Sequence, residues 1–198
     1  MIGLAFLFVL LVYLLISLGV IAYVVRKAKE RGIAGWKWGV PAAFVMYLIV
    51  FWDHIPTLIA HKYYCDKEAG FFVYKTLEEW KQENPGVAEM LTYEDKVKSS
   101  IEDDKVIYYL NERFDYISIR APVFLSIKQR KYKVIDKLKN DVLAEYIDYS
   151  SGGGFQNAKT LTDYKLWLAN TSCEVVLKTD TLFFEFVDKA KKIGDDKL

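Results

Sequence analysis

The sequence predicts an α+β protein, with two N-terminal transmembrane helices followed by a small antiparallel-sheet domain with peripheral helices. Three observations carry this. No charged residue stands between Ile2 and Val25. A second apolar run, WKWGVPAAFVMYLIVFW, follows after a short basic interval. Beyond Ala60 the charge density becomes ordinary, and aromatic, β-branched runs alternate with polar turns. The expected organisation is a transmembrane helix over 1–25, a basic cytoplasmic loop over 26–37, a second transmembrane helix over 38–60 and an extracytoplasmic α+β domain over 61–198.

The first run holds 24 uncharged residues; about 20 suffice to cross about 30 Å of hydrocarbon. No Lys or Arg precedes it, and RKAKER follows directly, so it reads as an uncleaved span with a stop-transfer flank. In the second run Trp36 and Trp38 suit a headgroup belt, and Pro41 stands near the expected helix start. The uncharged stretch from Gly39 to Trp52 is short for a crossing, so the span continues through DHIPTLIA to Ala60. From Trp38 to Asp53 is about 22 Å at about 1.5 Å per residue, which places Asp53 in the outer part of the far leaflet. Between the runs, Arg26, Lys27, Lys29, Arg31 and Lys37 face a lone Glu30. The positive-inside rule puts this loop in the cytoplasm. The N-terminus and the C-terminal domain then lie on the other side, which is the periplasm if the membrane is a bacterial inner membrane. Ser17, Gly19 and Ala22 on the first helix suit close approach of another helix.

The stretch FWDHIPTLIAHKYYC gathers the chemistry-bearing residues. Asp53, His54 and His61 form a candidate polar site at the membrane interface, because ionisable groups near a span are site candidates. The plainer alternative is a helix-end anchor, with Pro56 bending the chain as it leaves the bilayer. His54 and His61 are about 10 Å apart along a straight helix, too far for one metal ion. His61 and Cys65 could share an ion at i and i+4, but a full site would need two more ligands, such as Asp66 and Cys173, so no metal is expected. The chain has two cysteines, Cys65 and Cys173. In an oxidising compartment such a pair reads as a disulfide. A reactive Cys65 thiol beside His61 is the alternative, though no CxxC motif supports it.

Within the domain, FFVYK reads as a short strand. Thr76 and Glu79 make a T-x-x-E capping box for the helix LEEWKQE, which should stop near Asn84 before Pro85-Gly86. Pro85 could open a second short helix over PGVAEML. Residues 92–105 read as a polar loop, and VIYYLNERFDYISIR as strand. VFLSIKQRKYKVID and VLAEYIDYSS flank a polar turn, KLKND, suited to a hairpin. In the second arm both alternating faces carry apolar groups. Gly152, Gly153 and Gly154 should end that strand as a turn; no Lys-Ser/Thr follows to make a phosphate loop. TDYKLWLAN reads as a short amphipathic helix. Thr179 or Asp180 should cap the C-terminal helix, whose stripe is Leu182, Phe183, Phe186, Val187 and Ala190.

Charge is +3 over residues 1–60 and −2 over 61–198. A near-neutral domain without a basic face argues against nucleic-acid binding. There is no GxSxG or HExxH, and the domain's single histidine is His61, so no catalytic constellation is visible and no cofactor is expected. YYCDKEAGFFVYKTLEEWKQENPGV, VLAEYIDYSSG and LWLANTSC resemble segments of a group of uncharacterised proteobacterial inner-membrane proteins. The likeness covers roughly residues 52–173. It implies a bacterial inner-membrane protein, fits Cys65 paired with Cys173, and implies no activity. The expected function is therefore a membrane-anchored periplasmic binding or interaction protein with a protein partner in the envelope. The alternatives are a membrane-surface redox or metal-dependent enzyme around His61 and Cys65, or an accessory subunit of a transporter.

Overall fold

The computed structural model describes residues 2–92, 98–102, 105–152, 168 and 171–194. Two compact units divide the chain, Met1–Ile55 and Pro56–Leu198. Among the described residues are five α-helices and one six-stranded sheet, so the α+β class is observed.

In the first unit, α1 covers Ile2–Glu30 and α2 covers Trp36–Phe51. Helix α1 runs through the basic residues Arg26–Glu30, which the sequence had suggested as loop. It ends where Gly32 takes φ +73°, a conformation glycine adopts without a Cβ penalty. The Gly32 N–H then bonds Lys29 O and the Ile33 N–H bonds Ala28 O, a Schellman closure that satisfies two helix-end carbonyls. Helix α2 packs on α1 through Gly35 and Gly39: a Cβ on Gly39 would lie 2.7 Å from Val25 Cγ2. Gly19, read from the sequence as suited to close approach of another helix, has nothing of this chain within 4 Å of where its Cβ would stand. The Tyr13 hydroxyl donates to Met46 O, and Ser17 Oγ donates to Tyr13 O at 2.8 Å.

The expected continuous helix over 38–60 is broken. Helix α2 begins two residues early, so Pro41 lies in its interior rather than at its first turn. It stops at Phe51, and α3, His54–Lys67, starts after a bend at Trp52–Asp53. By length and composition one helix, over Leu7–Glu30, qualifies as a membrane span; α2 and α3 qualify only if the bent pair is counted together.

The second unit is built on strands β1 (Gly70–Val73), β2 (Lys98–Glu102), β3 (Lys105–Tyr109), β4 (Phe114–Phe124), β5 (Ile127–Asp136) and β6 (Asp141–Ser151). Their order is β1-β6-β5-β4-β3-β2, and every pairing is antiparallel. Strand β2 falls inside the stretch expected to be loop; it is an edge strand, KSSIE, whose polar composition hid it. The expected single strand over 106–120 is two. Asn111 divides them, because its Oδ1 accepts from the N–H groups of Arg113 (2.9 Å) and Phe114 (2.8 Å) and so reverses the chain. The β5–β6 hairpin turns at 137–140 as expected, with Asn140 at φ +56°. A bulge at Leu143 inserts an extra residue between Val142 and Ala144.

The capping box forms as read. Glu79 N–H donates to Thr76 Oγ1 at 3.2 Å, and Thr76 N–H to Glu79 Oε2 at 2.8 Å, opening α4 (Leu77–Glu83). The helix expected after Pro85 is a single 3₁₀ turn, Ala88–Met90. Helix α5 spans Glu174–Lys191 and starts at Cys173, so Thr179 and Asp180 lie inside it rather than at its cap. Its stripe packs on one sheet face: Phe183 meets Phe71, Tyr116, Tyr132 and Tyr146, whose ring is stacked on it at 5.1 Å. Leu182, expected in that stripe, is instead half exposed. Beside this core, the indole Nε1–H of Trp80 and the Arg113 guanidinium both reach the buried carboxylate of Asp136 at 2.7–2.8 Å. Gly153, Gly154 and nearly all of TDYKLWLAN lie outside the described residues.

Candidate functional site

Helix α3 places His61, Tyr64, Cys65 and Glu68 at i, i+3, i+4 and i+7, one face of a 3.6-residue helix. That face meets Tyr149 on β6. Tyr64 stacks on the Tyr149 ring with centroids 4.9 Å apart. The Tyr149 hydroxyl donates to Glu68 Oε2 and accepts from Gln129 Nε2, each at 2.6 Å. His61 Nε2 lies 3.0 Å from the Tyr149 carbonyl, which only an N–H on Nε2 can satisfy. Burial and then the neighbouring Glu68 push the Tyr149 phenol far above its ordinary range, so it stays a neutral donor.

Cys65 and Cys173 are bonded to each other, 108 residues apart in the chain. The strand-like approach to Cys173 is fixed independently. Ser151 N–H donates to Thr171 O at 3.2 Å, and Cys173 N–H donates to Asp148 Oδ1 at 3.2 Å. Arg130 bridges the other Asp148 oxygen to Ser172 Oγ. The start of α5 and the C-terminal part of α3 are thereby tied to the same end of β6.

His61 Nε2 lies 3.5 Å from Cys65 Sγ. The His61 nitrogen and both sulfurs stand within 4.8 Å of one another. As a disulfide the sulfurs carry no thiolate charge and are poor metal ligands; only reduction would create a His-Cys-Cys donor set. Asp66, weighed from the sequence as a further ligand, is not in this group.

The other sequence-derived residues have different settings. Asp53 is buried, 1% exposed, at the break between α2 and α3. His54 Nδ1 is hydrogen-bonded to the Tyr47 hydroxyl at 2.6 Å. His54 therefore takes its partner within the first unit and His61 within the second.

Tyr149, Glu68, Gln129, Asp148 and Arg130 were not singled out from the sequence. The spacing of His61, Tyr64, Cys65 and Glu68 was the one local signal for them. No family model, curated protein or solved structure matches the chain.

Proposed function

We propose that this chain is a membrane-anchored protein of the bacterial cell envelope. Its α+β unit stands outside the cytoplasm and binds a protein or another envelope component. The carrying observation is α1. It presents large apolar side chains to the surroundings over most of its circumference, with Leu7, Phe8, Val9, Leu14 and Ile16 all more than half exposed, and ends in a basic segment. Water would solvate such a helix poorly; hydrocarbon solvates it well. The disulfide supports an oxidising compartment for the α+β unit, because thiols in the cytosol are kept reduced. The polar groups around the disulfide satisfy one another, which favours a clamp that shapes a binding unit.

The test is a topology reporter fused after Leu198, paired with alkylation of protein taken from native membranes. A reporter active outside the cytoplasm and a fully oxidised pair are expected. A cytoplasmic signal with two free thiols would overturn the reading. Cross-linking in intact membranes should then yield one reproducible partner; a lone monomer would remove the binding role.

The 3.5 Å approach of His61 to Cys65 supports a second reading, a membrane-surface redox site in which His61 stabilises a Cys65 thiolate. Exchange of the disulfide with a small dithiol tests it. Exchange no faster than that of an unstrained linear disulfide, and unaffected by His61→Ala, would exclude it.

A further inference from the structure

The hairpin that joins β4 to β5 ends in an apolar tip. Val123, Phe124 and Leu125 stand there 39%, 43% and 42% exposed. Among the described residues, the β3–β4 pairing ends at Lys105↔Ile119, whereas β4 goes on pairing with β5 to Phe124. The turn itself has two residues, Leu125 and Ser126, between the paired Phe124 and Ile127. Leu125 sits at φ +48°, in a position where hairpins ordinarily place Gly or Asn. A large apolar side chain is thus held in a strained, exposed position, where folding alone would select glycine.

Basic residues flank the tip. Arg120 and Lys128 are exposed, each three residues from the tip along the chain, and Lys128 pairs with Pro122. The next two, Arg130 and Lys131, are engaged by Asp148 and Glu145. An apolar wedge with exposed cations behind it matches a phospholipid surface, acyl chains below and anionic phosphates above.

The tip also lies close to the tied end of the sheet. Tyr149 of β6 carries the contacts to His61 and Tyr64 of α3. Two residues on, Ser151 pairs with Ile127 at the foot of the tip. Leu138, 76% exposed, lies in the turn at the opposite end of β5.

We infer that the β4–β5 tip is a second membrane contact, dipping Val123, Phe124 and Leu125 into an anionic phospholipid surface, with Arg120 and Lys128 on the headgroups. This rests on the membrane-anchored reading above. The experiment uses the full chain in lipid nanodiscs, with an environment-sensitive fluorophore on Phe124→Cys or, separately, on Leu138→Cys. Doxyl-labelled lipid should quench the probe at 124 in phosphatidylglycerol-containing discs and leave the probe at 138 untouched. Charge reversal at both Arg120 and Lys128 should reduce tip insertion by roughly tenfold or more, as should discs of phosphatidylcholine alone. An unquenched probe at 124, or equal quenching at both sites, would overturn the inference while the anchor stands. Release of the whole chain by alkaline carbonate would overturn the anchor itself, and the tip contact with it.

Discussion

Reducing the Cys65–Cys173 bond tests the structural role of the site most directly. The bond closes a loop with a sequence separation of 108. In the chain-entropy model, freeing a loop of that size in the unfolded state costs the fold about 5 kcal/mol. A unit of this size has a total stability of about 5–15 kcal/mol, so the loss is a large share of it. With a urea dependence of about 2 kcal/mol per molar, the unfolding midpoint should fall by about 2.5 M. The assay is urea unfolding of the full chain in nanodiscs, with and without a phosphine reductant, followed by near-ultraviolet circular dichroism of the buried aromatic core. Cys65→Ala with Cys173→Ala should reproduce the reduced midpoint. A shift below about 0.5 M would refute the clamp. It would mean that Asp148, Arg130 and the Ser151–Thr171 bridge hold Cys173 without the bond. The redox reading would then gain ground.

Other consequences follow from the same physics. Asp136→Asn leaves the Arg113 guanidinium buried without its counter-charge, so stability should fall by about 3–5 kcal/mol in thermal or urea unfolding; a loss under about 1 kcal/mol would show that the pair is dispensable. Burial pushes the Asp136 carboxyl up, but hydrogen bonds from Arg113, Trp80 and the Lys139 and Leu138 N–H groups hold it below its usual value. Its contribution is therefore present above the ordinary carboxylate range and lost as pH falls through the depressed value, so acid unfolding should be shallower in D136N. Burial, then Asp148, pushes the Tyr146 phenol up to about 12. Stability is thus full below the ordinary tyrosine value and falls as pH rises through 12, and tyrosinate absorbance should rise together with loss of circular dichroism; ionisation at the ordinary value in a folded protein would contradict the packing. Gly39→Ala should loosen the α1–α2 pair, since its Cβ would meet Val25 Cγ2 at 2.7 Å, and Val25→Ala should restore it, both read as thermal stability in detergent. Leu125→Gly should raise stability by about 1 kcal/mol by relieving the left-handed strain, even as it removes part of the apolar tip.

What the sequence made legible was local. The Thr76–Glu79 box and the 137–140 turn rest on neighbouring residues, and each formed as read. The α1 apolar run needed no partner to be recognised. Features set at long range were missed. Strand β2 has no apolar face of its own, and β3 beside it supplies its hydrogen bonds. The start of α5 is fixed by the tether at Cys173 and by Asp148, so Thr179 and Asp180, good capping residues by type, became interior positions. Hydropathy summed over 38–60 could not show the break at Asp53, because apolar composition is shared by a straight helix and two bent ones.

The site shows why the cysteine pair was legible and its setting was not. Two cysteines, once the topology reading puts both in an oxidising compartment, read as a bond. The group that organises their surroundings is Tyr149, whose ring carries Tyr64, whose hydroxyl serves Glu68 and Gln129, and whose carbonyl receives His61. Those partners come from α3 and from β5, and no spacing rule links residue 61 or 68 to residue 149. Each bond also consumes a group that acid–base chemistry would need. Glu68 accepts from Tyr149, one His61 nitrogen is committed to a carbonyl, and Asp148 holds both Cys173 N–H and Arg130. Among the described residues, these donors and acceptors are satisfied by one another around the disulfide. At the β4–β5 tip, by contrast, Phe124 and Leu125 are exposed and Arg120 and Lys128 carry accessible charge. The inferred membrane contact asks the strands behind the tip to resist bending, and Cys173 is hydrogen-bonded to Asp148 on β6, three residues before Ser151, which pairs with Ile127 at the foot of the tip.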